Sequence, residues 1–428
     1  MHILLLLFYS LLCGYGILKI PFFRKSGIPP VLLLALFALH VLVGCLHNII
    51  AWRYYPEHGD IWRLFAFSLS DRHLLMTHQY SQLLADNSRW TWFSHNSVIF
   101  ILMILNFFSF DNLYIDTLLF AFPVFLGAIA LYRVFRRRFP ADPLTAITVF
   151  LLPSTLFWTA CIHREAVLYM ALGFFFYGLD RIFASTRPSS PPTSPFLHRK
   201  CLFTIFFFLL IIYFRPVVAA LLIPALLAWW WTERPLPRRH AWLLAGACAG
   251  ILVILSFIPG LAAWPINFLS RSQGEFRDLE GHSRLYLPML DGSWNSLLRA
   301  FPSAVLNGLF EPLPGSGGQK IYLAFSMELI LIWIVALAAV ILHSTHPLKP
   351  RISAPPPVPT LAFSRCCILF ALLGMLLVGL IVPFAGAIVR YRSIYLPFLL
   401  APFLHSLTHW PLLRRLNQLL AAWFPDPR

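Results

Sequence analysis

LLPSTLFWTACIHREAVLYMALGFFFYGL, residues 151–179, decides the fold. No charge interrupts the run from Leu151 to Cys161, and none interrupts Ala166 to Leu179. Between them stand His163, Arg164 and Glu165. A helix needs about 20 apolar residues to cross hydrocarbon, so this stretch reads as one span, a polar turn and the next span. Ionisable groups in such a turn are costly unless the turn faces water or a polar cavity. The tripeptide is therefore a candidate site.

The rest of the chain continues the pattern. Of its 428 residues 59% are hydrophobic and 12% charged, and the mean hydropathy is +0.74. These values exclude an ordinary soluble domain and fit an all-α, polytopic membrane protein. Eleven spans are expected, at 3–20, 30–50, 114–132, 144–160, 166–183, 201–214, 216–232, 241–258, 321–342, 366–385 and 393–408. The formal charge of +16 resembles a nucleic-acid signal, but its distribution excludes one. With an outward N-terminus, the inward connections are 19–29, 133–143, 180–200, 233–240, 343–365 and the tail after 409. They hold twenty of the 33 Lys and Arg but only four of the 17 acids, namely Asp142, Asp180, Glu233 and Asp426. That is the positive-inside bias. It predicts an extracytoplasmic N-terminus and a cytoplasmic C-terminus in a plasma membrane.

The whole chain, 1–428, reads as one membrane domain. The first segment has no basic n-region and no small-x-small cleavage site, so it reads as a helix rather than a signal peptide. Two outward loops, 51–113 and 259–320, are long, and the first carries apolar pieces at Ile61–Leu69 and Ser97–Phe110. The second piece is half a bilayer long and reads as interfacial or re-entrant. The tail 410–428 reads as an amphipathic helix on the cytoplasmic surface. The seven cysteines are scattered without a Cys-x-x-Cys, which argues for packing rather than disulfides or zinc.

Ionisable residues gather in the outward turns. Glu57, His58 and Asp60 follow the second span. His163, Arg164 and Glu165 form the second turn, and Arg215 ends one span before Pro216. Arg390 and Arg392 flank the last turn, Arg284 belongs to the second long loop, and Glu328 lies inside a span. Arginine forks bind phosphate oxygens bidentately and stay charged, while a carboxylate can take the proton of an attacking hydroxyl. Together they suit a sugar carried on a lipid phosphate whose tail remains in the bilayer.

In this layout the chain resembles the GT-C superfamily of membrane glycosyltransferases, which use polyprenyl-phosphate sugars. Asp60 in the first long outer loop, the half-length segment 97–110 and the basic run Tyr132–Arg138 occur in that family's order. The chain also looks like a group of bacterial envelope membrane proteins without an assigned activity. That likeness runs through Pro153–Trp158, Arg164-Glu165, Asn307–Pro312 and Val389–Arg392. The GT-C resemblance implies Asp60 as the general base or acceptor-orienting carboxylate. It implies Arg164, Arg215, Arg390 and Arg392 as holders of the lipid phosphate, with Glu165 orienting Arg164. Glu57, His58, His163, Arg284 and Glu328 are further candidates. The implied partners are a polyprenyl-(di)phosphate sugar, membrane lipid and a glycan, lipid or protein acceptor. The chain has no Asp-Asp, Asp-x-Asp or Glu-x-Asp pair at Asp60, so a divalent cation such as magnesium or manganese stays an open question.

Each residue also has a plain structural reading. Asp60 can cap a helix starting at Ile61. Arg164 and Glu165 can pair to close the turn, Arg215 can snorkel, and Arg390 and Arg392 can anchor a helix end. His40 and His47, seven apart, share one helix face and suit packing. Two further functions fit the pattern: a glycan polymerase or ligase, and a lipid-linked-sugar flippase. The flippase predicts charges at mid-membrane, where Glu328 and Asp116 stand nearly alone.

Overall fold

The computed structural model describes residues 1–54, 59–83, 93–139, 143–185, 196–233, 264–279, 283–315, 320–345, 360–408 and 410–421. All regular structure among them is helical, apart from one isolated bridge between Arg284 and Phe384. Six helices are long and apolar enough to cross a membrane, and a seventh crossing is available if one bent pair is counted. The protein is thus a polytopic helical membrane protein. The chain divides into two compact units, 1–219 with 408–428, and 220–407.

In the first unit α1 (His2–Lys19), the short α2 (Pro21–Arg24) and α3 (Pro30–Tyr54) lead to α4 (Gly59–Met76) and α5 (Phe93–Ser109). Helices α4 and α5 pair, with the Asn106 amide donating to Ser68 Oγ at 2.8 Å and Arg72 donating to the Asn106 carbonyl. Arg72 also meets Asp111 at 2.6 Å. The buried center is α6 (Leu113–Arg138) against α9 (Arg164–Ser185). A Cβ on Gly173 would lie 2.0 Å from the Gly127 carbonyl oxygen, so these two backbones touch, as small residues permit in membranes. The C-terminal ends of α6 and α9 also meet. Arg138 and Arg137 reach Asp180 at 2.7 and 2.5 Å. The two helices therefore run parallel, and the intervening chain must return across the bundle.

That return corrects the expected single helix over 144–160. It consists of two seven-residue helices, α7 (Leu144–Phe150) and α8 (Pro153–Thr159). Pro153 supplies no amide hydrogen and opens α8 at its first turn, while the residue before it is pushed to extended backbone; Leu152 has φ −63° and ψ 118°. The break frees carbonyls of α7, and the buried Tyr169 hydroxyl donates to that of Val149 at 3.1 Å.

The parallel pair sorts the ends of this unit. At one end Arg136 donates to the Ser26 carbonyl, and Arg133 lies over Phe22 and Tyr177. Arg137, Arg138 and Arg181 are there too, so the segment around Ser26 and the C-terminal ends of α6 and α9 share one basic end. At the other end lie the starts of α4, α6 and α9. Helix α10 (Phe196–Phe214) packs on α9 and stops at Arg215. Pro216 then begins α11 (Pro216–Glu233), a shorter apolar helix. The expected span at 241–258 lies outside the described residues. The C-terminal α18 (Pro411–Ala421) is helical as expected and leaves Leu416 and Leu419 exposed.

In the second unit α12 (Trp264–Arg277) is followed by an extended stretch, then α13 (Trp294–Phe310), α14 (Lys320–Thr345), α15 (Thr360–Ile381), α16 (Ala385–Arg392) and α17 (Leu396–Leu407). Helices α16 and α17 meet at 62°. The buried Gln273 side chain holds the stretch in place: it donates to the carbonyls of Pro288 and Leu380 and accepts from the Leu290 amide. Asp291 is held down to about 2 by the hydroxyl and amide of Ser293 and the hydroxyl of Ser296. Ser293 caps α13, which lies so close to α15 that a Cβ on Gly379 would sit 2.1 Å from the Ala304 oxygen.

Candidate functional site

The site begins with two helix ends that the sequence marks clearly. Arg164 and Glu165 open α9, where a carboxylate in the first turn complements the helix dipole. Arg215 follows α10 at the Pro216 break, because a residue before proline leaves the helical region. The structure brings these ends together. The Arg215 guanidinium donates to Glu165 Oε1 at 2.9 Å; the Glu165 side chain is 2% exposed and that of Arg215 27%. Glu165, expected as the orienter of Arg164, thus also makes a contact across 50 residues of sequence.

Asp60 belongs to the same neighbourhood. The next residue, Ile61, packs in one buried cluster with Ile162, Ala166 and Phe214. Those three are the chain neighbours of His163, Glu165 and Arg215. Helix α4 begins at Gly59, which has φ 72°. Asp60 lies in the first turn of α4 and is exposed. Glu57 and His58 lie outside the described residues.

Helix α3 completes this end. Asn48 donates to Thr117 Oγ1 of α6 at 2.9 Å, and the Trp62 indole donates to the Asn48 carbonyl at 2.9 Å. His163 is buried; its ring lies 5.5 Å from that of His47, and His47 also packs on Phe157 and Trp158. These links escaped the sequence reading. Asn48 carries no charge, and the partners of His47 lie more than a hundred residues downstream.

The candidates in the second unit have structural partners there. Arg392 is fully buried and donates to the carbonyls of Gly308 and Glu311 at the end of α13. Glu328 is buried in α14, and its charge and that of Glu311 act on Arg392. Arg284 is exposed and donates to the carbonyls of Arg277 and Leu279 at the end of α12. Arg390 is half-buried, with its guanidinium 5.7 Å from the Tyr391 ring.

Among the described residues, the group of three His, Cys, Asp or Glu side chains close enough to share an ion is His47, Cys161 and His163. Its nitrogen and sulfur donors do not suit magnesium or manganese, which prefer oxygen. The polar end of the first unit can nonetheless hold an anion on Arg215 and present a carboxylate at Asp60. No protein-family model, curated protein or solved structure matches the chain.

Proposed function

We propose that the protein is a membrane glycosyltransferase of the GT-C type, taking its sugar from a polyprenyl-(di)phosphate donor on the extracytoplasmic side. The observation that carries this reading is the Glu165–Arg215 pair at the polar end that also holds Asp60. A buried carboxylate fixes a partly exposed guanidinium at the same end of the unit as an exposed carboxylate, in a protein whose surroundings are lipid. The basic end with Arg133, Arg137, Arg138 and Arg181 is then cytoplasmic by the positive-inside rule, and the polar end faces outward.

In this reaction the acceptor hydroxyl attacks the anomeric carbon of the donor sugar. The bond from that carbon to the phosphate oxygen breaks, and the lipid phosphate leaves with the electron pair. Asp60 takes the acceptor's proton, and Arg215 stabilises the charge on the departing phosphate. Glu165 positions Arg215. Arg164, beside them at the start of α9, is a second phosphate contact.

The test is transfer from a lipid-linked sugar by the full chain in liposomes. Asp60→Asn is expected to lower the rate about 100-fold or more, the usual size of a lost general base. Arg215→Lys keeps the charge but loses the fork, and is expected to lower it at least about 10-fold. Wild-type rates in both variants would overturn the assignment, as would translocation of the donor with no new glycosidic bond, the outcome of a flippase.

A further inference from the structure

The geometry points to a zinc-class metal site formed by His47, Cys161 and His163. One ligand atom from each lies within 4.8 Å of the other two, and all three residues are buried. In a tetrahedral zinc site, bonds of about 2.0 Å to nitrogen and 2.3 Å to sulfur place neighbouring ligands roughly 3.3–3.8 Å apart. Closing the present arrangement takes a shift of about an ångström, within reach of side-chain rotation.

The fold itself gathers the three. Gly44 lies one turn before His47 in α3, and a Cβ there would stand 2.4 Å from the Ala160 oxygen. Only that approach lets α3 set His47 against the segment that carries Cys161 and His163. The Asn48–Thr117 bond holds α3 in the same register. Phe157 and Trp158, with ring centroids 4.8 and 5.4 Å from that of His47, form an apolar wall. Such a wall limits water and sharpens the preference for imidazole and thiolate.

The Cys161 thiol now donates to the Trp158 carbonyl at 3.3 Å. On binding, the S–H proton leaves to solvent and a zinc–sulfur bond replaces it, with no change of oxidation state. Three protein ligands leave a fourth position open, the pattern of sites that bind water or substrate.

Purified full-length protein, stripped with a chelator and dialysed against zinc, is expected to retain about one zinc per chain. Its zinc absorption edge should show one sulfur and two nitrogen neighbours. Cobalt in place of zinc should give a thiolate charge-transfer band. Cys161→Ser should abolish that band, and His47→Gln or His163→Gln should weaken zinc binding about 100-fold or more, since even an outer-shell loss costs 10–100-fold. Cys13→Ser, far from the site in sequence, should change neither. Substoichiometric zinc in the wild type, or an unchanged cobalt band in Cys161→Ser, would overturn the site. Should the variants fail to fold, the wild-type spectra decide: a shell of oxygen and nitrogen alone rejects it. None of these readouts uses glycosyl transfer, so this site and the proposed reaction stand or fall separately.

Discussion

Asp180→Ala is expected to destabilise the first unit by about 3–5 kcal/mol, the cost of leaving a buried charge without its partner. Asp180 and Arg138 are each 2% exposed and meet at 2.7 Å. The second arginine, Arg137, is 46% exposed, and its share is that of a surface pair, about 1 kcal/mol at most. Most of the loss therefore comes from Arg138, buried between the ends of α6 and α9. The measurement is the rate of thermal unfolding in detergent, because membrane proteins of this size seldom unfold reversibly. Replacing both members with apolar residues, as in Asp180→Leu with Arg138→Met, should recover most of the loss. Wild-type unfolding of Asp180→Ala would show that the parallel helices do not depend on this contact.

The second large effect is expected at the helix crossing. Gly173→Val places a side chain where the Gly127 carbonyl already stands, and the nearest obstacle is backbone rather than a movable side chain. Overpacking of side chains costs about 1–3 kcal/mol. Here relief requires the two central helices to part, so a loss at or above that range is expected, seen as a collapsed yield of folded protein. The reciprocal site behaves alike, since a Cβ on Gly127 would lie 2.4 Å from the Met170 Cα. Helices already forced apart by one substitution lose little more from the second. Gly127→Ala with Gly173→Ala should therefore cost about as much as the worse single change, well short of the sum. Strict additivity would refute the close approach.

Much of this was legible in sequence. Uninterrupted apolar length identified the long helices at 3–20, 30–50, 114–132, 166–183 and 321–342, because spanning is mainly a matter of length and hydropathy. It failed at 144–160, where Pro153 breaks a segment of sufficient apolarity. Asp180 appeared as one of four acids among basic connections, yet nothing local showed that it is buried as a counter-ion. At the polar end, charge in a short gap singled out Glu165, and the Arg-Pro step singled out Arg215. That these two meet, while Arg392 turns to carbonyls of α13, depends on helix contacts that a linear reading does not contain.

The broken return through α7 and α8 bears on how the protein is made. Neither half is long enough to satisfy the bilayer by itself, and the carbonyl of Val149 receives its hydrogen from Tyr169, a residue the ribosome adds twenty positions later. Nascent chains arrested with Tyr169 still inside the ribosome should leave the crossing unsettled, detectable by acceptor sites for glycosylation engineered beside it. Chains long enough to release α9 should fix it. The return is therefore expected to settle only once the segment that follows it has emerged, which would make the order of synthesis part of the topology.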